Sequence, residues 1–288
     1  ELINKEFNLE LNVEKWIRDI GNAVLQYKVV YKHLNKIVDK VNPKIILEVV
    51  SYGPTRFAIN EIAKKRNIPT VELQHGTMGK YHIAYNFAEK KFLRMFPDYV
   101  FLFGQFWKDN TRLPIEDSKI KIVGWPFYEH KVKENKYYEK QKNVVLFISQ
   151  GPIGKKLSKL AVELMGKIKE NDYKIIYKLH PGEYSRWKNE YPWLIGTEIE
   201  VIDNNEHDLH FYLAQADIQV GVSSTALFEG LGYGLRTIIY KTFSHQYMEE
   251  LYSNNLVFLV ESSDELKAVI NLKDNSKNNY NISYFWKE

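Results

Sequence analysis

Apolar positions between residues 10 and 41 fall at helical spacing, with Trp16, Ile20, Val24, Tyr27 and Tyr31 on one stripe, and predict one long amphipathic helix or two. Pro43 breaks that pattern. Beyond it, "KIILEVV" (44–50), "PTVELQ" (69–74), "PDYVFLFG" (97–104) and "SKIKIVGWP" (118–126) read as short strands, and "GPTRFAINEIAKKRN" (53–67) reads as a helix between the first two. Near-continuous apolar strands separated by helices predict βαβ units and a parallel sheet covered on both faces.

Residues 131–142, "KVKENKYYEKQK", carry charge without an apolar period and are expected to be a linker. After them the alternation restarts. "NVVLFIS", "KIIYKL", "EVID", "IQVGV" and "RTIIYK" read as strands, and "GKKLSKLAVELMGKIKEN", "HDLHFYLAQA" and "STALFEGLGYG" as helices. The expectation is an α/β protein of two Rossmann-like domains facing a cleft. The N-terminal domain covers 1–130 and the C-terminal domain 143–275, and the aromatic tail 276–288 packs back on the first domain. Ligands then belong in the cleft, at the carboxyl ends of the strands.

Composition removes several function classes. At 288 residues the chain is long enough for two ordinary domains. Forty Lys and Arg against 36 Asp and Glu leave a formal charge of +4, a mild excess that suits anionic ligands without demanding nucleic acid. There is no RNP-like pattern and no Cys/His zinc spacing, so nucleic acid is not an expected partner. The chain has no cysteine, which excludes disulfides, thiolate metal sites and a cysteine nucleophile and suits a reducing cytoplasm. No apolar run reaches the roughly 18 residues of a membrane span. The chain opens at Glu1 without a methionine or a signal-peptide apolar region, as a piece of a longer protein would.

The candidate chemistry lies just after the strands. "VELQHGTMG" puts Gln74, His75 and Gly76 at a strand exit, and Tyr52 and Arg56 follow the strand before it. "YKLHPGEY" puts His180 before Pro181 and Gly182, where the proline holds the histidine extended and its imidazole can donate to a phosphate oxygen. "GVSSTALFEGLGYG" places Ser223, Ser224 and Thr225 at a helix start, with N-cap oxygens, free N–H groups and a positive dipole end for an anion. Glu229, one turn further on, is in reach of a ribose. Ser149, Gln150 and Gly151 follow the first strand of the second half, but their segment lacks the P-loop spacing. No G-x-G-x-x-G follows a strand, no G-x-S-x-G elbow occurs, and no acidic cluster has metal-ligand spacing, so no cofactor or metal is expected. Tyr81, Tyr85 and Trp107 are candidates for stacking on sugar rings.

This order, "QHG", linker, "LHP" and "SSTALFEGLGYG", resembles the two-domain glycosyltransferases of the GT-B architecture. The narrower resemblance is to bacterial capsule and lipopolysaccharide enzymes that use CMP-activated acidic sugars, sialyltransferase-like and Kdo-transferase-like. CDP-glycerol glycerophosphotransferases share a similar His-Pro and Ser-Ser pair. The resemblance covers residues 44–270 and implies a donor phosphate on His180 and Ser223–Thr225, a ribose on Glu229, and an acceptor side that includes His75. It implies transfer of a sugar to a surface-glycan or lipid-linked acceptor without a metal, at the inner face of the cytoplasmic membrane where the acceptor is lipid-linked. His75 is the candidate general base, with Glu72, Glu48 and Asp98 as alternatives. The acidic Asp/Glu-Asp/Glu-Gly motif that supplies the base in several sialyltransferase families is not evident. A sugar-nucleotide 2-epimerase, which shares the fold, and a non-catalytic nucleotide-sugar-binding module are the competing readings.

Overall fold

The computed structural model describes residues 2–7, 10, 12–89, 93–168, 172–253, 256–272 and 281–287. The chain divides into two compact units. The first comprises Glu1–His75, Ile83–Leu102 and Thr111–Ile122, and the second Gly76–His82, Phe103–Asn110 and Val123–Glu288.

In the first unit a short helix α1 (Leu2–Phe7) precedes the long helix α2 (Val13–Val41). The Asn12 side chain caps α2 by accepting from the Lys15 N–H, and Asn42 closes it in the left-handed region with its N–H on the Val38 carbonyl. Strand β1 (Ile46–Glu48) leads to helix α3 (Pro54–Lys65), which starts at Gly53 with φ of 99° and has Pro54 in its first turn. Strands β2 (Thr70–Leu73), β3 (Tyr99–Leu102) and β4 (Ile120–Ile122) complete a four-stranded parallel sheet in sequential order. Ala58, Ile62 and Ala63 of α3 are fully buried. The C-terminal half of α2 is tied to α3 and the residue after it, Tyr27 donating to Glu61 and Arg66 to Asn35 and Asp39.

The second unit opens with α4 (Gln105–Asp109) and α5 (Pro126–Asn135), followed by β5 (Val144–Ile148), α6 (Gly154–Ile168), β6 (Lys174–Lys178), α7 (Trp187–Glu190), β7 (Glu200–Ile202) and α8 (Leu209–Gln215). Then come β8 (Ile218–Gly221), α9 (Thr225–Gly232), β9 (Arg236–Tyr240), α10 (Glu249–Tyr252), β10 (Phe258–Val260), α11 (Ser263–Ile270) and α12 (Ile282–Phe285). Its six strands are parallel in the order β10-β9-β8-β5-β6-β7. This is the doubly wound 3-2-1-4-5-6 arrangement, in which the winding reverses between β5 and β8. Val145, Phe147 and Val220 of the sheet, with Leu157, Leu160 and Leu164 of α6, form the centre of its core.

Three expectations about organisation change. The segment 131–142 is not a free linker over its whole length. Residues up to Asn135 belong to α5, where Tyr128 and Asn135 are buried and Lys131 is paired with both Glu134 and Asp208. Polar pairing holds this turn where an apolar period is missing. Residues 103–110, expected in the first domain, belong to the second unit. There Phe106, Trp107, Phe228, Phe285 and Trp286 form one aromatic cluster with neighbouring centroids 4.7–5.9 Å apart. The described part of the tail, α12, therefore packs on Phe103–Asn110 and α9, with Trp107 donating to the Phe285 carbonyl at 2.9 Å and Lys287 N–H to Phe103 O at 2.9 Å. Residues 276–280 and Glu288 of the expected tail lie outside the described residues. Gly104 is required here, because any side chain would run into the Phe285 backbone. The third change is an addition: β10 and α11 extend the second sheet by a strand that the apolar pattern did not single out. No helix among the described residues is long and apolar enough to cross a membrane.

Candidate functional site

The carboxyl ends of β5 and β8, where the winding reverses, are the usual ligand position in doubly wound sheets. Ser149, Gln150 and Gly151 leave β5 on one side of the reversal. Val222, Ser223, Ser224 and Thr225 leave β8 on the other. The structure brings the two loops together: Ser223 Oγ donates to Gln150 Oε1 at 3.3 Å and lies 2.9 Å from Ser244 Oγ, in the loop after β9. Ser244 holds φ of 72° without being glycine, a strained conformation of the kind concentrated at binding sites. Ser224 is the N-cap of α9 and accepts from the Ala226 N–H. Thr225 Oγ1 stands 3.5 Å from where a Cβ at Gly76 would lie, an ordinary contact distance, so Gly76 lies beside the start of α9.

A fourth loop is fixed from below. Glu183 is fully buried and accepts three hydrogen bonds, from Ser149 Oγ at 3.0 Å, Tyr191 OH at 2.7 Å and the His180 N–H at 2.8 Å. The His180-Pro181-Gly182 turn is thereby anchored to the β5 exit. His180 is exposed, and its Nδ1 accepts from the Gly182 N–H at 3.1 Å. This bond places the proton of the neutral ring on Nε2, pointing away from the turn, where it serves as a donor. Arg186 was not expected. Its Nε donates to the Gly182 carbonyl at 3.0 Å, its Nη1 pairs with Glu190 at 2.8 Å, and its Nη2 lies 3.0 Å from the Cβ position of Gly151, so the guanidinium reaches over the β5 loop.

Glu229 does not lie open at this site. Its carboxylate is buried, 3.3 Å from His210 Nε2, and the other ring nitrogen is 3.2 Å from Tyr233 OH. Burial pushes the Glu229 carboxyl up to about 7 and the His210 imidazole down to about 4, so both favour their neutral forms.

In the first unit the parallel register sets Glu48 directly beside Glu72. Glu48 accepts from Asn60 Nδ2 at 2.8 Å, and Glu72 accepts from Tyr85 OH. Burial raises both carboxyls, that of Glu48 to about 7, while Ser51 and Tyr85 moderate the rise at Glu72. One buried oxygen of each carboxylate, Oε2, has no partner. These residues were named from sequence only as secondary candidates for a base; their adjacency follows from strand register, which a single strand does not reveal. His75, at the β2 exit, is exposed, and Gln74 beside it is buried with its N–H on the Phe101 carbonyl. Tyr52 and Arg56 are exposed around the start of α3, Tyr52 packing edge-on against Tyr85 with centroids 5.8 Å apart.

Three expected roles are corrected. Tyr85 and Trp107 are core residues at 1% and 0% exposure and present no face to a sugar. Tyr81 remains exposed, its hydroxyl on Glu249. Asp98 precedes β3, at the amino end of the sheet, and is bound to Lys64 and Thr70, so it is remote from the strand exits. Among the described residues no group of three or more His, Asp or Glu side chains is arranged to hold a metal.

No protein-family model matches the chain, and no curated protein matches it. Solved structures do. The UDP-GlcNAc 2-epimerase of Methanocaldococcus jannaschii, in complex with UDP-GlcNAc and UDP, is similar at TM-score 0.61 and 18% identity over 90% of this chain and 76% of that one. The Neisseria meningitidis UDP-GlcNAc 2-epimerase bound to UDP-GlcNAc gives 0.62 and 14% over 90% and 77%. The Rickettsia bellii UDP-N-acetylglucosamine 2-epimerase gives 0.57 and 14% over 90% and 73%. At these identities the likeness shows the fold, two Rossmann-like units of the GT-B type. It does not reach the narrower resemblance to CMP-sugar transferases of capsule or lipopolysaccharide synthesis.

Proposed function

We propose that the chain is a nucleotide-sugar enzyme that binds its ligand's diphosphate at the β5/β8 reversal of the second unit. The observation that carries this reading is the convergence there of four strand-exit loops, those after β5, β6, β8 and β9, joined by the Ser223–Gln150, Ser223–Ser244 and Ser149–Glu183 hydrogen bonds. The N–H groups at the start of α9, the Nε2–H of His180 and the guanidinium of Arg186 would surround a diphosphate with donors and positive charge. Fixed donors of this kind stabilise a departing nucleoside diphosphate, and removing one typically costs about 10²–10³ in rate.

The first reading of the reaction is 2-epimerisation of a UDP-sugar. It is supported by the fold shared with UDP-GlcNAc 2-epimerases and by a buried carboxylate pair, Glu48 and Glu72, at adjacent strand ends in the first unit. The Glu48 carboxyl, raised by burial to about 7, can hold or release a proton near neutral pH, which epimerisation requires, and burial raises that of Glu72 as well. Glycosyl transfer is the second reading, favoured by His75, which stands exposed at a strand exit as a base for an acceptor hydroxyl would.

Incubation with UDP-GlcNAc, followed by proton NMR of the anomeric signals, tests both. Appearance of the 2-epimer supports the first reading. UDP release that needs an added glycan acceptor supports the second. An unchanged sugar nucleotide, with no binding of UDP, CDP or CMP by calorimetry, would reject both.

A further inference from the structure

Of the lysines and arginines among the described residues, Lys178 alone is buried, at 7% exposure. A buried ammonium is costly unless an anion lies beside it, and lysine is rarely buried without one. Every partner of Lys178 is neutral. Its Nζ donates to Tyr184 OH at 2.6 Å and makes two long contacts, 3.4 Å each, with the Leu179 and Asn204 carbonyls. Tyr184 OH itself donates to the Asn204 carbonyl at 2.9 Å, so that oxygen has a donor without the lysine.

Strand alternation explains why no carboxylate answers the charge. Tyr177 faces α6, its hydroxyl on the Gly154 carbonyl, and Ser149, Glu183 and Tyr191 are bonded together on that side. Asp203 accepts from Trp187, which belongs to the same core as Tyr177. Lys178 follows Tyr177 in the strand and points to the other face. Register identifies that face. Leu146 pairs with Gln219, whose amide donates to the Leu227 carbonyl of α9, and the next rung on this side pairs Ile148 with Lys178. The cation therefore lies on the face that α9 covers, level with the strand ends, two strands and roughly 10 Å from β8, after which α9 begins. Its own carbonyl accepts from the Ser149 N–H at 3.0 Å, which ties it to the β5 exit loop.

On the reading that a diphosphate sits at the β5/β8 reversal, from which this follows, we propose that Lys178 is a positioning residue of that site. Its unanswered charge attracts the diphosphate from the β6 side, while the N–H groups of α9 and the Nε2–H of His180 make the direct contacts. At about 10 Å and an effective dielectric constant near 20, one charge alters affinity by about tenfold for each unit of phosphate charge. Bound phosphate would also offset the cost of the buried ammonium, so nucleotide-free stability and ligand affinity make opposite demands on this residue.

Two variants, titrated with UDP by calorimetry and unfolded in urea without nucleotide, test this. Lys178→Met and Lys178→Gln both remove the charge, and the glutamine can still bond Tyr184 OH and the Asn204 carbonyl. Both should bind UDP at least about tenfold more weakly than wild type, and to the same extent. Nucleotide-free Lys178→Met should unfold at a higher urea concentration than wild type. A glutamine variant with wild-type affinity would assign the lysine to hydrogen bonding and overturn the proposal. So would wild-type affinity in Lys178→Met, or a lower nucleotide-free midpoint in that variant, which would make Lys178 a residue of the fold. A wild type that binds neither UDP nor inorganic pyrophosphate would instead reject the diphosphate site itself, and the role of Lys178 with it.

Discussion

Glu48 owes its environment to strand pairing. A glutamate in a three-residue edge strand would ordinarily face water, but register sets it beside Glu72, with Asn60 of α3 against its carboxylate and 3% of its surface exposed. Burial raises its carboxyl to about 7 in the folded chain. In the unfolded chain it returns to the ordinary glutamate range, so between about pH 4.5 and 7 the folded state holds more protons than the unfolded one. Its contribution is therefore most favourable at low pH and falls as pH rises through that window. Glu229 acts in the same direction and His210, lowered to about 4, in the opposite one. The group is best isolated as a difference. Glu48→Gln should gain stability relative to wild type as pH rises from 4.5 to 7.5, measured by urea midpoints. A difference independent of pH would show that Glu48 titrates normally.

At the scale of elements, one buried carboxylate connects three of them. Glu183 holds the exit of β5 through Ser149, the His180 turn through its N–H, and the turn after α7 through Tyr191. Glu183→Ala would leave these buried donors without an acceptor, a loss of about 3 kcal/mol in stability. It should also weaken UDP binding by calorimetry, since the His180 turn would lose its anchor. Unchanged affinity would mean that this turn takes no part in binding. These roles show what a single sequence conveys. The strands and helices were legible because their apolar period is local, and His180, Ser223 and Ser149 were legible because strand exits follow from it. Glu183, Arg186 and the Glu48–Glu72 pair were not, because they depend on which strands become neighbours. Trp107 and Tyr85 were misjudged because an aromatic beside a loop reads alike whether it faces a ligand or a core. The helical turn of α5 was hidden because ion pairs to Asp208, remote in sequence, hold it.

At the scale of the whole molecule, the two units have separate sheets, so one cooperative unfolding transition is not assured. The tryptophans make the units distinguishable. Of the six, Trp16 alone lies in the first unit and is exposed; Trp107, Trp125, Trp187, Trp193 and Trp286 lie in the second. Intrinsic fluorescence therefore follows the second unit, whereas far-ultraviolet circular dichroism follows both, with α2 the largest helical contribution of the first. A ligand that binds only the native state stabilises what it binds, by about 2.7 kcal/mol at one hundred times its dissociation constant. A nucleotide held at the β5/β8 reversal should thus raise the fluorescence transition. The α2-dominated part of the dichroism transition should stay in place if the units unfold independently. His180→Ala should reduce the fluorescence shift, because it removes the Nε2–H donor. Equal shifts by both probes would show that the two units unfold together. A nucleotide that moves only the dichroism transition would locate binding in the first unit and refute the site at the reversal.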